Sequence, residues 1–357
     1  MTSTTLPLVS IVTPLYNNAE HLAQCIESVL AQTYSHWDYT IVNNCSTDGS
    51  AEIAQRYAAK DPRIKLHNNS QFLPVIANHN HALRQISPEC KYVKMVFADD
   101  WLMPRCIEEM VGLTEQNPSV GIVGAYGLEE ERVVWQGLGL SENVLSGREI
   151  CRRMFLDDLY VFGTPNSVLY RADLVREQAA FFNEANFHAD REACVALLKN
   201  CDFGFVHQVL TFKRLAAGSL TRAVGWHLMT HYGALLLTIH NHAADYLNHD
   251  ETRLCRERLL VDYYNFLAVS IIRGNRDSKF WSYHKAKLDE TVGFNRIRLF
   301  KATLGRVCRM IFSPYETFSK VRAALRERAT SAMSRRASRQ QLRAHAVEFE
   351  NCGKRPV

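Results

Sequence analysis

The sequence predicts an α/β protein, with a mostly parallel sheet flanked by helices and followed by a helical C-terminal region. Over the first hundred residues, apolar runs rich in β-branched side chains alternate with amphipathic segments of helical period, which is the rhythm of βαβ units. One such run, Tyr92-Val93-Lys94-Met95-Val96-Phe97, leads straight into Asp99 and Asp100, and open α/β sheets bind ligands outside the carboxyl ends of their strands. Beyond about residue 223 the pattern turns to long, glycine-poor stretches of helical period.

The elements follow in order. Leu8 to Thr13 reads as a first strand, and Leu22, Cys25, Ile26, Val29 and Leu30 mark the first helix. Next come a strand around Tyr39 to Val42, a helix from Ser50 to about Ala59, a short strand Ile64-Lys65-Leu66 and a helix over Ala77 to Ile86. The strand that ends at Phe97 completes the alternation, which builds a sheet with helices on both faces. Pro104 suits the first turn of a following helix, so the acidic pair also fits an N-capping loop. Val120 to Gly124, Ser167 to Tyr170 and Phe205 to Phe212 read as further strands. Helices are expected over Trp226 to Leu247, Glu257 to Ile272 and Ile297 to Phe312. In the last of these, Ile297, Phe300, Leu304, Val307 and Ile311 recur at i, i+3, i+4 spacing with Arg298, Lys301, Arg306 and Arg309 between them. From Ala329 on, Ser, Arg, Gln and Ala dominate, a composition that favours disorder or a frayed helix. The chain thus divides into a sheet domain over 1–222, a helical region over 223–320 and a basic, flexible tail over 321–357.

Length and composition set bounds. With 357 residues, 47% hydrophobic and 22% charged, the chain can bury a large core as one large domain or two smaller ones. The amino terminus has no basic region followed by an apolar core, so no signal peptide is expected. Trp226 to Ile239, broken by His227, His231 and Thr238, falls short of the ~20 apolar residues that span a bilayer. Ten cysteines occur with no C-x-x-C pair, which argues against a zinc centre and a disulfide framework and for a reducing cytoplasm. Between Lys320 and Arg343, eight basic residues face one acid, an excess of +7 that leaves the rest of the chain near −2 of the net +5. Basicity therefore belongs to the tail and not to the sheet.

Several segments carry a family resemblance. Val9 to Asn17, with Pro14, Tyr16 and Asn17 at its end, is similar to the first strand and loop of glycosyltransferase family 2. Val42-Asn43-Asn44-Cys45-Ser46-Thr47-Asp48-Gly49-Ser50 resembles that family's V-D-D-G-S-T-D-G segment, with asparagines replacing two aspartates. Asn44 can still accept a hydrogen bond from a uracil or thymine N–H, though without charge assistance, so the base stays open. Ala77 to Leu83 resembles the N-x-N-x-x-L helix, and Asp99 and Asp100 fall at the D-x-D-type pair, with Phe97 where many relatives carry a further aspartate. Phe162 to Arg171 resembles the G-x-P loop and strand of the acceptor side, and His188 to Glu192 occupies the E-D position at the head of a helix. Phe203 to Ser219 resembles the closing strand and its Y-R-x-H-x-x-S loop, with Arg214 kept and an apolar residue at the histidine position. Together the matches cover about residues 8–222 in the family's order.

The resemblance implies a GT-A fold and an inverting transfer of sugar from a nucleoside diphosphate sugar, with UDP or dTDP favoured. The acceptor it implies is a glycan or lipid-linked glycan hydroxyl in bacterial surface polysaccharide synthesis. Pro14, Tyr16, Asn17, Asn44, Ser46, Asn78 and Asp99 are then nucleotide-binding, and Asp100 ligates Mg²⁺ or Mn²⁺ at the diphosphate. Asp190 is the general base, with Glu192 the competing carboxylate, and Thr164 and Arg214 are acceptor-side or secondary residues. Charge stabilisation on the leaving group and deprotonation of the acceptor are what such chemistry asks of a metal and a carboxylate.

Other readings stay open. A catalytically inactive sugar-nucleotide binder fits the thinning of acid at Asn43, Asn44 and Phe97. A sugar-phosphate nucleotidyltransferase would want a glycine-rich phosphate loop, and Pro14 to Asn18 has no glycine. The pairs His79-x-His81 and His227-x-x-x-His231 have ligand-like spacing, but such pairs usually serve as surface or packing residues, and the second lacks the glutamate of H-E-x-x-H. Tyr16, Trp37 and Trp101 could each stack a base, and only Tyr16 lies in a matching motif. The arginine-rich tail invites nucleic acid, yet no aromatic-rich binding motif accompanies it. An interfacial helix over Ile297 to Phe312 with a basic tail fits peripheral contact with an anionic membrane, and a solvated helix with a loose tail fits equally.

Overall fold

A computed structural model of the chain describes residues 6–215 and 228–312. Its sheet has the order β3-β2-β1-β4-β9-β6-β10-β5, with β7 beside β6 and β8 beside β10. The strands are β1 Val9–Leu15, β2 Trp37–Asn43, β3 Ile64–Asn68, β4 Tyr92–Met95, β5 Trp101–Leu102, β6 Val120–Glu129, β7 Arg132–Val134, β8 Val144–Leu145, β9 Leu169–Arg171 and β10 Asp202–Lys213. Helices α1 Ala19–Leu30, α2 Ser50–Ala58, α3 Val75–Leu83, α4 Cys106–Gln116, α5 Gly147–Asp157, α6 Ala172–Arg176 and α7 Ala189–Leu197 are interleaved with them. After these come α8 His231–Tyr246, α9 His249–Ile272, α10 Ser278–Thr291 and α11 Arg296–Phe312.

All seven positions of β1 are buried because it lies between β2 and β4, both parallel to it. Pro14 sits in this strand without breaking a ladder: the β1–β4 pairing ends at Val12 opposite Met95, two residues earlier. Helix α1 buries Leu22, Cys25, Ile26 and Val29, one face at helical spacing, into the same core.

The sheet is mixed. Strands β1 to β4, β6 and β10 share one direction, as the expectation of a mostly parallel sheet requires. Strand β9 runs antiparallel to both β4 and β6, and β5, β7 and β8 also run against their neighbours. The apolar run Ser167 to Tyr170 marks β9 in the sequence, though not its direction, whereas β5, β7 and β8, of two or three residues each, carry no readable period.

Two compact units emerge. The first comprises Met1–Val261 and Arg276–Phe294, so α8, the first half of α9 and α10 share a unit with the sheet. The expected boundary at 222 falls outside the described residues. The second unit takes in Asp262–Asn275 and the chain from Asn295 onward. Within it, Asn295 N–H donates to Tyr264 Oη at 2.8 Å and the Arg298 guanidinium lies 5.6 Å over the Tyr264 ring. Among the described residues no helix is long and apolar enough to cross a membrane.

Candidate active site

The acidic pair lies just past β4. Val96 N–H donates to Val12 C=O at 2.9 Å and Thr13 Oγ1 donates to Val96 C=O at 2.8 Å, so this segment stays tied to β1 after the strand pairing ends. Strand β5 then pairs antiparallel with β10, Trp101 opposite Phe212, and the two rings stack at 3.5 Å with planes 6° apart. That pairing fixes Asp100. Its Oδ1 accepts a 2.8 Å hydrogen bond from Arg214 N–H, while Arg214 Nε donates to Asp99 C=O at 3.2 Å and an Arg214 terminal nitrogen reaches Gln24 Oε1 at 2.9 Å. Trp101 is thus a packing residue, as is Trp37, which lies buried under the Arg63 guanidinium at 3.7 Å.

Asp100 is 3% exposed. Burial, then the charge of Asp99, pushes its carboxyl well above the ordinary carboxylate range, against the pull of Arg214 and Lys213. Burial raises Asp99 as well, opposed by His21, Arg214 and Lys213. Two desolvated carboxylates that repel each other are stabilised by a cation. Among the described residues no three His, Cys, Asp or Glu side chains converge on one point. The donor set is therefore one or two carboxylates, leaving the remaining positions to phosphate and water oxygens, which is the coordination habit of Mg²⁺ and Mn²⁺ at nucleotide sites. The residues fit the ion.

Beside the pair, the loops after β1 and β2 interlock. Asn17, at φ 45°, accepts from Thr47 N–H at 2.8 Å through Oδ1 and donates its own N–H to Ser46 Oγ at 3.1 Å. Asp48 Oδ2 accepts Ala19 N–H at the head of α1, and its Oδ1 accepts Ser50 N–H at the head of α2. Slight burial raises the Asp48 carboxyl, but the bonds from Ser50 and Ala19 outweigh it and hold it below the usual range. Tyr16 and Phe72 meet edge to face at 4.9 Å, 49% and 54% exposed, the one just past β1 and the other in the loop after β3. Pro14 is buried inside β1 and turns no side chain to solvent.

Asn44 departs from the role expected of it. Its Oδ1 already accepts both Leu73 N–H and Asn69 Nδ2, each at 2.9 Å, and its Nδ2 donates to Leu73 C=O at 2.9 Å. A carbonyl oxygen has two lone pairs, so no place is left for a base N–H. Asn44 thus braces the 69–73 loop. Asn78 Oδ1 joins the brace by accepting Asn69 Nδ2 at 3.0 Å.

The N-x-N spacing on α3 has a geometric explanation, since residues i and i+2 face opposite sides of a helix. Asn78 holds the 69–73 loop. Asn80 holds the segment before α7, giving a 2.9 Å bond to Phe182 C=O and taking a 2.8 Å bond from Phe182 N–H. His79 lies between them, 5.0 Å from the Phe97 ring and 6.1 Å from the Phe182 ring. Burial lowers its imidazole to about 4, so it packs as a neutral ring. Phe97 is thereby part of an apolar bridge from the acidic pair to the segment that leads into α7.

The acceptor-side loop turns at Gly163, φ +67°, where a Cβ would come within 2.5 Å of Ser167 Oγ. Thr164 and Ser167 form a capping box on the 3-10 turn Pro165–Ser167, with Thr164 N–H donating to Ser167 Oγ at 3.1 Å. The Arg191 guanidinium lies 4.4 Å over the Tyr160 ring and tethers this loop to the first turn of α7. In that turn Asp190 is half-buried and, among the described residues, accepts a hydrogen bond only from Arg191 N–H, at 2.9 Å. Glu192 is the opposite case. It is 5% exposed and takes bonds from Asn183, Asn186 and Asn241, with His242 Nε2 at 3.5 Å. Burial alone would raise it, yet these donors hold its carboxyl down at about 2. This weakly basic carboxylate, with its oxygens engaged, ties α7 to α8.

Residues 10–177 match the family model described as Glycosyl transferase family 2. Over this stretch, just under half of its length, the chain is similar to glycosyltransferase family 2. The putative glycosyltransferase EpsE of Bacillus subtilis is 35% identical over 119 residues, 33% of this chain and 42% of that protein. The chain spans about half the length of the curated relatives it matches. Among solved structures, S. aureus TarS 1-349 with UDP-GlcNAc has a TM-score of 0.58 at 14% identity, covering 80% of each chain. The mannosyltransferase PcManGT of Pyrobaculum calidifontis, with GDP-Man and Mn²⁺, has a TM-score of 0.52 at 15% identity, covering 90% of this chain and 85% of that one. The architecture is the GT-A fold.

Within the stretch that matches family 2, sequence reasoning missed Phe72, the Asp48 double cap, and the anchoring of Asp100 through β5. Phe72 had no motif around it, but Asp48 lay two residues before a helix start and was readable as a cap. Ser219 of the closing loop lies outside the described residues.

Proposed function

We propose that the protein is an inverting glycosyltransferase that moves a sugar from a nucleoside diphosphate sugar to a hydroxyl of a glycan or lipid-linked glycan. The observation that carries this reading is the Asp99–Asp100 pair, half-buried and buried respectively and held by Arg214 just past the carboxyl end of β4, within the stretch that matches family 2. Support for the donor class comes from UDP-GlcNAc on TarS and GDP-Man on PcManGT, two structures of the same fold.

Asp100, with Asp99 beside it, would hold Mg²⁺ or Mn²⁺, which when bound neutralises the diphosphate as the sugar–phosphate bond breaks. Arg214 adds a fixed positive charge at the same place. Tyr16 and Phe72 would flank the base, while Asn17 and Ser46 shape the loop beneath it. Asp190 would take the proton of the acceptor hydroxyl as that oxygen attacks the anomeric carbon from the face opposite the leaving group, so the configuration inverts in one displacement. Thr164 and Gly163 set the loop beside it.

Asp190→Asn is expected to lower turnover by about 10²- to 10⁴-fold while calorimetry shows unchanged donor affinity. Asp100→Ala should abolish Mn²⁺-dependent donor binding. Substantial turnover in Asp190→Asn would move the base elsewhere. Wild-type protein that binds donor with Mn²⁺ but neither hydrolyses nor transfers it would establish the inactive binder instead.

A further inference from the structure

Helix α11 (Arg296–Phe312) has no buried residue. Its large apolar side chains lie open: Ile297 is 67% exposed, Phe300 66%, Leu304 51% and Ile311 65%. At 3.6 residues per turn, Ile297, Phe300, Leu304, Val307, Cys308 and Ile311 fall within an arc of about 100°. Arg296 and Lys301 stand at the two edges of that arc. Arg298, Arg306 and Arg309 lie on the opposite face, and no acidic residue occurs anywhere in the helix.

We propose that α11 lies in the headgroup region of an anionic phospholipid surface, with Phe300, Leu304 and Ile311 among the acyl chains and Arg296 and Lys301 at the level of the phosphates. Charge selects this occupant. A second copy of the helix would bring like-charged edges together, whereas an anionic bilayer accepts the apolar stripe and the cations at once. The helix lies on the surface and does not span, because its five cations bar it from the hydrocarbon core. Downstream, the +7 excess between Lys320 and Arg343 adds sequence charge of the same sign. The inference stands independently of the active-site reading.

Flotation of the full-length chain in a density gradient tests it, with phosphatidylcholine vesicles made with and without phosphatidylglycerol. The chain is expected to float with the anionic vesicles and to stay at the bottom with the neutral ones. Phe300→Glu combined with Leu304→Glu should abolish flotation while circular dichroism and donor affinity stay unchanged. Lys301→Gln should lower partitioning about fivefold. Failure of the wild-type chain to float with anionic vesicles would overturn the proposal. So would full flotation of the double variant, which would assign binding to the tail alone. A dimer in solution that the double variant dissolves, without flotation of the wild type, would make the face a protein interface and also refute it.

Discussion

Glu192 offers a direct way to separate architecture from chemistry. Its carboxyl is held at about 2 against an ordinary 4.5, a difference equivalent to about 3 kcal/mol of folding stability. The sign follows from the direction of the shift. A carboxylate whose folded value is depressed contributes fully above its unfolded value, so the contribution is present above pH 4.5 and lost as pH falls toward 2. Glu192→Gln turns an amide NH₂ toward the donors of Asn183, Asn186 and Asn241 and leaves buried groups unmatched. At neutral pH it should lower stability by about 3 kcal/mol, equivalent to roughly 4–5 °C in Tm for a chain of this size. Thermal unfolding of both proteins from neutral pH downward is the assay, and the gap between them should close as pH drops toward 2. A variant with wild-type Tm across this range but no sugar transfer would refute the reasoning, because the carboxylate would then be chemical and not structural.

Three further outcomes are expected. Tyr16→Ala and Phe72→Ala should each weaken donor binding by about 1–3 kcal/mol if the pair flanks the base, and calorimetric affinity equal to wild type would exclude that role. Trp101→Ala removes the stack on Phe212 and should cost about 2 kcal/mol in thermal unfolding. It should also loosen Mn²⁺-dependent donor binding through Asp100, whereas Trp101→Phe should keep both. Gly163→Ala forces a left-handed backbone position and a contact with Ser167, so denaturant titration should show a loss of about 1–3 kcal/mol.

What the sequence by itself determined was whatever local pattern encodes. The apolar alternation set the βαβ order and strands β1 to β4, and Asp99 and Asp100 were readable as strand-end carboxylates because β4 is a continuous apolar run. The amphipathic stripe of α11 was equally legible, since helical period alone defines it. Tertiary structure decided how side chains spend their hydrogen bonds. Asn44 and Glu192 looked available in their motifs, but segments distant in sequence consume them: Leu73 and Asn69 for the first, Asn183, Asn186 and Asn241 for the second. Asp100 likewise takes its orientation from Arg214, more than a hundred residues later, across a two-residue strand with no period of its own. Motif spacing places a residue at a strand end or helix head, whereas its proton affinity and its free lone pairs depend on neighbours that only the folded chain brings within reach.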